Sequence, residues 1–222
     1  MKLSVIVPYY RDVVSLGEFL PQNRERLPDA EFLVVGAEAD VSAEDISRKA
    51  GARWVQAEGP GRGRQMNEGA ALASGEVYLF LHADTLLPKE AVAAIERSLD
   101  QGYAGGAFSR RFDSTSLVLR GTCWLADQRG RLSGWFLGDQ AIFCTRALFE
   151  EVGGYADWVA FEDLDLARRM RRRAKTTLLG ARVLSSARRF DRRGAWRQTL
   201  KDFFLTLQWL GGRSFARKGD HE

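Results

Sequence analysis

Residues 3–7 are apolar except for Ser4 and β-branched over the last three positions, and Pro8 follows directly. Such a run predicts a buried parallel strand. Apolar residues at helical spacing (Leu16, Phe19, Leu20) predict a helix over 15–27. The pattern then repeats, with strands at 31–35, 53–57 and 76–81 and helices at 43–50, 64–73 and 88–100, the last opened by Pro88. Between the third strand and its helix, three glycines and a proline at 59–63 predict a loop. Four strands alternating with helices predict right-handed βαβ units and a parallel sheet.

After Gly102 the rhythm changes. Strands are predicted at 104–112 and 140–144, with an aromatic segment around Trp124 between them that fits neither period. A helix at 161–173, short strands at 176–179 and 182–185 joined near Gly180, and a last helix at 196–210 complete the pattern. With 222 residues, no repeat and no low-complexity linker, one α/β domain spanning 1–222 is the simplest expectation. A basic, aromatic helical segment at about 190–215 ends it.

Two cysteines, Cys123 and Cys144, build neither a disulfide scaffold nor a four-cysteine zinc site. The N-terminal apolar stretch is too short for a signal-peptide core, and no run reaches the roughly 18–20 residues that span a bilayer. A cytoplasmic location is expected. The net charge of +4 is uneven: from Arg168 onward 16 basic residues face 4 acidic ones. Arginine outnumbers lysine 27 to 6, which suits a phosphate-bearing partner, or equally a solvated basic face. No nucleic-acid motif accompanies the arginines, so nucleic acid is not an expected partner.

In open α/β sheets ligands lie beyond the carboxyl ends of the strands. After the first strand come Pro8, Tyr9, Tyr10, Arg11 and Asp12; after the third, the glycine loop and Arg64; after the fourth, His82, Ala83 and Asp84. Asp84 could ligate a divalent cation on a diphosphate, which needs only one or two protein carboxylates; it could equally cap the following helix. Glu162, Asp163 and Asp165 open a helix behind the aromatic stretch 158–161. They complement the helix dipole, or they include a general base whose basicity burial raises.

The ordered set SVIVP (4–8), GRGRQMNEGAALASGE (61–76), LFLHADT (79–85), GDQAIF (138–143) and FEDLDLARRMRR (161–172) resembles the family 2 glycosyltransferases. Within them it is most similar to a small bacterial subgroup named for arsenosugar biosynthesis or for association with radical-SAM/selenodomain proteins. The resemblance implies a GT-A nucleotide-sugar-binding fold, with a mostly parallel central sheet and helices on both faces. It implies an inverting, metal-dependent transfer of a sugar from a nucleotide-sugar to an acceptor hydroxyl. Asp84 then matches the last acid of the DxD motif and holds Mn²⁺ or Mg²⁺, with His82 at its first position. Asp163 matches the catalytic base, supported by Glu162. Pro8, Tyr9, Tyr10, Asp12 and Arg64 line the nucleotide pocket, and Gly106, Asp139 and Gln140 fall where sugar and acceptor meet.

The chain departs from the family at Gly36, where many relatives carry an Asp that contacts base and ribose; Glu38 or Asp40 would have to replace it. A UDP-sugar is expected ahead of a GDP-sugar, and a lipid-linked acceptor fits the class. The alternative is a degenerate nucleotide-sugar-binding or regulatory protein on the same fold. Leu200, Phe203, Phe204 and Leu207 make one stripe on the last helix, bracketed by Trp196 and Trp209. That stripe either packs onto the sheet or lies on an anionic membrane surface, which would place the protein peripherally at the inner membrane.

Overall fold

Alternation of side chains across β1 (Leu3–Tyr9) explains how the sheet is sandwiched. Leu3, Val5 and Val7 enter one apolar cluster with Leu16 and Leu20 of α1 (Val13–Arg26), Ala43 of α2 (Val41–Lys49) and Ile95 of α4 (Ala91–Asp100). Ile6 points the other way, into a cluster with Met66 of α3 (Arg62–Leu72), Phe149 of α6 (Arg146–Glu151) and Leu166 of α7 (Glu162–Arg173). The computed structural model describes residues 1–156 and 161–187. The helix expected at 196–210, its membrane or core face, and residues 158–160 of the aromatic stretch lie outside the described residues. No helix among the described residues is long and apolar enough to cross a membrane.

The remaining strands are β2 (Glu31–Gly36), β3 (Arg53–Gln56), β4 (Val77–Phe80), β5 (Thr85–Leu86), β6 (Gly105–Phe112), β7 (Ile142–Thr145) and β8 (Thr176–Ser185). They form one mixed sheet in the order β3-β2-β1-β4-β7-β6-β8-β5. β1 to β4 are mutually parallel, β7 runs antiparallel to both its neighbours, and β6 pairs in parallel with β8. This is a mixed α/β sheet of mostly parallel strands flanked by helices, as the GT-A expectation requires.

Several elements differ from expectation. β1 runs through Pro8 to Tyr9. The Ile6 carbonyl accepts from Leu81 on the β4 side, and Pro8 faces that same side just past the end of β4, so its missing N–H leaves no ladder bond unmade. α3 begins at Arg62, inside the expected loop, because Gly61 with φ 151° makes the turn and Gly63 packs without a Cβ against Tyr155, Ala156 and Glu162. The segment around Trp124 is α5 (Leu117–Ser133), and its glycines at 121 and 130 blur the helical period. The two short strands are one, β8, with a bulge at 180–181 opposite Phe108 and Ser109. The strand expected from 140 begins at Ile142, after a 3₁₀ turn at Gly138–Gln140.

Candidate active site

The register of β7 assembles the centre. Phe80 of β4 is opposite Ile142, so the turn at residues 138–140 lies just beyond the carboxyl end of β4, beside His82. α7 delivers Glu162 and Asp163 to the same place; both are buried, at 1% and 5% exposure. The backbone N–H of Gly138 donates to Asp163 Oδ2, and the N–H of Leu164 donates to Oδ1 at 2.7 Å. A Cβ on Gly138 would stand 2.5 Å from His82 Nε2 and 3.1 Å from Asp163 Oδ2. His82, Asp163 and the Gly138 backbone therefore meet at one point, where only glycine fits.

Burial raises the Asp163 carboxyl to about 6, the neighbouring Glu162 charge adds to it, and Arg62 with the two N–H donors opposes it. Arg62 forms an ion pair with Glu162 Oε1, whose Oε2 is buried without a partner. Burial opposes the Arg62 charge, but Asp163 and Glu162 outweigh it and hold the guanidinium ionised. The result is a shielded acid poised near neutrality beside a fixed cation. The first turn of α3 brings Arg62 to the acids, a residue that the sequence reading left in the loop. That followed from missing where α3 begins.

Asp84 sits half-buried past β4, its carbonyl accepting from Ser186 N–H at 3.1 Å. It does not cap the next helix: α4 starts seven residues on, after Glu90 and without a side-chain cap. That removes helix capping as its role; its Oδ1 accepts from the Thr85 hydroxyl at 3.4 Å. Among the described residues no three His, Cys, Asp or Glu side chains cluster to hold a metal unaided. A cation on Asp84 would need phosphate oxygens and water for its remaining ligands, which suits a hard divalent ion bound with a diphosphate.

The other expected site residues divide. Tyr10 is exposed with Arg11 stacked over its ring, and Pro8 is half-buried at the strand end. Asp12 caps α1, accepting from Ser15 N–H at 3.0 Å. Tyr9 is buried; its ring meets Trp54 edge-on and its hydroxyl donates to Asp40. Arg64 lies near the glycine loop, 3.7 Å from where a Cβ on Gly59 would be. Gln140 is fully buried, accepting from Leu137 N–H and Arg129. Asp139 pairs with the buried Arg110. Gly106 pairs with Phe143, level with Leu79, and so lies within the sheet below the site. Gly36 has no room for a side chain, since its Cβ would stand 2.3 Å from the Trp54 ring. Neither acid suggested in its place is idle: Glu38 forms a forked pair with Arg11, and Asp40 caps α2 while holding Tyr9.

The mixed sheet with acids past β4 and at the start of α7 is the arrangement that the resemblance to nucleotide-sugar enzymes implies. Residues 4–152 match the family model for glycosyl transferase family 2, and the chain belongs to that family of enzymes. No curated protein sequence matches it. In fold it is similar to a fragment of Staphylococcus aureus TarS, residues 1–349, with TM-score 0.65 and 18% identity over 84% of this chain and 61% of that one. It is also similar to the mannosyltransferase PcManGT from Pyrobaculum calidifontis in complex with GDP-Man and Mn²⁺, with TM-score 0.66 and 18% identity over 83% of this chain and 56% of that one. The TarS fragment in complex with UDP-GlcNAc gives TM-score 0.64 and 17% identity over 84% and 58%. The chain spans about three fifths of the length of these structures.

Proposed function

We propose that the protein is an inverting, metal-dependent glycosyltransferase, a single domain, that moves a sugar from a nucleotide-sugar to an acceptor hydroxyl. The observation that carries this is Asp163: fully enclosed, raised to about 6, and held by the Gly138 N–H beside His82 at the carboxyl end of the sheet. A base is most useful when its pKa lies near the working pH. Asp163 takes the proton of the acceptor hydroxyl as that oxygen attacks the anomeric carbon, and the nucleoside diphosphate leaves with the bonding electron pair. A single displacement inverts the configuration.

Arg62 and Glu162 keep Asp163 in place and its charge balanced. Asp84, with His82 beside it, would hold a divalent cation, Mn²⁺ or Mg²⁺. When bound, that ion neutralises charge on the leaving diphosphate. The solved neighbours in complex with UDP-GlcNAc, UDP and GDP-Man support a nucleotide-sugar donor, and the donor read from the sequence is a UDP-sugar ahead of a GDP-sugar. The ordered motifs support the finer likeness to the small bacterial arsenosugar-like subgroup.

Gly36, with the Trp54 ring against it, favours one other reading, a nucleotide-sugar-binding protein without transfer activity. Thermal shift with UDP and GDP, each with and without Mn²⁺, on wild type and Asp84→Ala tests the binding. Mn²⁺-dependent stabilisation lost in Asp84→Ala is expected; stabilisation indifferent to Mn²⁺ in both would overturn the metal role. Release of UDP from a UDP-sugar separates the enzyme from the inactive binder.

A further inference from the structure

Asp163 owes its Oδ2 contact to a turn that does not hold itself. Residues Gly138–Gln140 form a single 3₁₀ turn. The chain leaves it through Ala141 at φ 49°, a left-handed conformation that residues with a Cβ rarely adopt. A strained backbone of this kind keeps its shape only where its surroundings over-determine it. Here the surroundings do so from two sides.

On one side stands Arg129, near the end of α5. Its Nε donates to the Trp135 carbonyl at 3.1 Å and its Nη2 to Gln140 Oε1 at 3.3 Å. One planar guanidinium thus spans the approach to the turn and its last residue. Gln140 Oε1 also accepts from the Leu137 N–H at 3.1 Å, and its Nε2 donates to the Phe108 carbonyl of β6 at 3.4 Å. Arg168 of α7 lies 5.4 Å from the centre of the Trp135 ring, which ties the same segment to the helix that carries Asp163. On the other side Arg110 pairs with Asp139, and the Ser185 hydroxyl donates to the Asp139 carbonyl at 3.3 Å.

The resemblance puts Gln140 where sugar and acceptor meet, yet its side chain is fully buried and both its polar atoms are engaged by the protein. Arg129 keeps its charge against burial and against the nearby Arg110, helped by Asp139 and Asp163. A charge held under those conditions points to its contacts rather than to filling space. We infer that Arg129 and Gln140 are positioning residues for Asp163, holding the 137–140 turn so that the Gly138 N–H stays on Oδ2. Neither touches the reacting atoms; both act through that N–H. The inference rests on the proposed role of Asp163 as the base.

Arg129→Lys and Gln140→Met test it. The first keeps the charge and loses the two-pronged reach; the second keeps the volume and loses the amide. Exchange of the Gly138 amide hydrogen, followed by NMR without substrate, is expected to be at least about tenfold faster in each variant. The Leu164 amide, which binds the other carboxylate oxygen from within α7, should exchange as in wild type. UDP release from UDP-GlcNAc should fall at least about tenfold in kcat, with UDP affinity in Mn²⁺ within twofold of wild type. Unchanged Gly138 exchange in both variants would overturn the inference. A loss of UDP affinity matching the loss of rate would also overturn it, by placing these residues on the substrate. If Gln140→Met does not fold, Arg129→Lys carries the test alone, since Arg129 is only half-buried and its charge is retained. Asp163→Asn releasing UDP at the wild-type rate would remove the proposed base, and this inference with it, whatever the exchange rates; faster Gly138 exchange with an unchanged rate, where Asp163→Asn is inactive, would overturn the positioning role alone.

Discussion

The Gly138 backbone N–H and the Asp163 carboxylate are bonded across 25 residues of chain, joining the turn before β7 to the first turn of α7. A backbone donor cannot rotate away as a side chain can, so it fixes Asp163 Oδ2 while burial keeps the carboxyl near 6. The acid is positioned by the fold and made basic by the same enclosure. Its two properties can be tested separately.

Asp163→Asn is expected to lower transfer by about 10²–10⁴ while nucleotide binding persists. It should also remove a pH dependence from the stability. The folded pKa of about 6 lies above the ordinary 3.8, so the native state binds more protons in that window and loses stability as pH rises through it. Asparagine carries no charge and escapes that loss, while its NH2 faces one of the N–H donors at Gly138 and Leu164, a cost that does not change with pH. A Tm difference that moves in the variant's favour between pH 4 and pH 7.5 is the expected calorimetric result. An unchanged transfer rate would reduce Asp163 to a structural acid.

The rate of transfer at saturating substrates should rise with pH and level off above about 6, because only the ionised carboxylate accepts the proton. Arg62→Met removes the cation that lowers the Asp163 pKa, so the rising limb should move to higher pH, and Arg62→Lys should restore it in part. Arg62→Met also leaves the buried Glu162 unpaired. Losing a buried partner costs about 3–5 kcal/mol, and less here because Arg62 is 41% exposed. A pH profile identical in all three proteins would show that the base is not Asp163.

Gly138→Ala tests the meeting point. The new Cβ would collide with His82 and crowd Asp163, and one of them must move by several tenths of an ångström or more. A misplacement of about 1 Å at a reacting centre can cost about 10² in rate, so a fall of up to that size is expected. Melting and nucleotide binding should change far less than transfer; equal losses in all three would mean the glycine serves packing alone.

Much of this was legible in the chain. Val5, Ile6 and Val7, and the repeats that follow them, declare the parallel half of the sheet, because a strand buried on both faces needs apolar residues throughout. Asp84, Glu162 and Asp163 stand out by position after a strand and at a helix start. Gly138 opens the GDQAIF motif on which the resemblance rests, but its role, to lack a side chain between His82 and Asp163, needs the fold to be seen. Arg62 was hidden by the glycines around it, which read as loop although Gly61 supplies the turn and Gly63 the close approach.

Base selection is the remaining test, and it turns on Gly36. Its Cβ would lie 2.3 Å from one carbon of the Trp54 ring and 2.4 Å from another, and the ring is held in place by Tyr9 at 5.7 Å. Gly36→Asp alone should therefore destabilise the protein by about 1–3 kcal/mol through overpacking, with a further loss from burying the carboxylate. Trp54→Ala removes the obstruction and leaves a void. Combining the two substitutions exchanges one filled volume for another, so the double variant should be more stable than the sum of the single changes predicts, a coupling measurable by denaturant unfolding. If the carboxylate then reaches a bound base, UDP affinity should rise relative to GDP in the double variant. Additive destabilisation would show that Trp54 is not what excludes a side chain at Gly36. Restored stability with an unchanged UDP-to-GDP ratio would show that this strand end does not read the base.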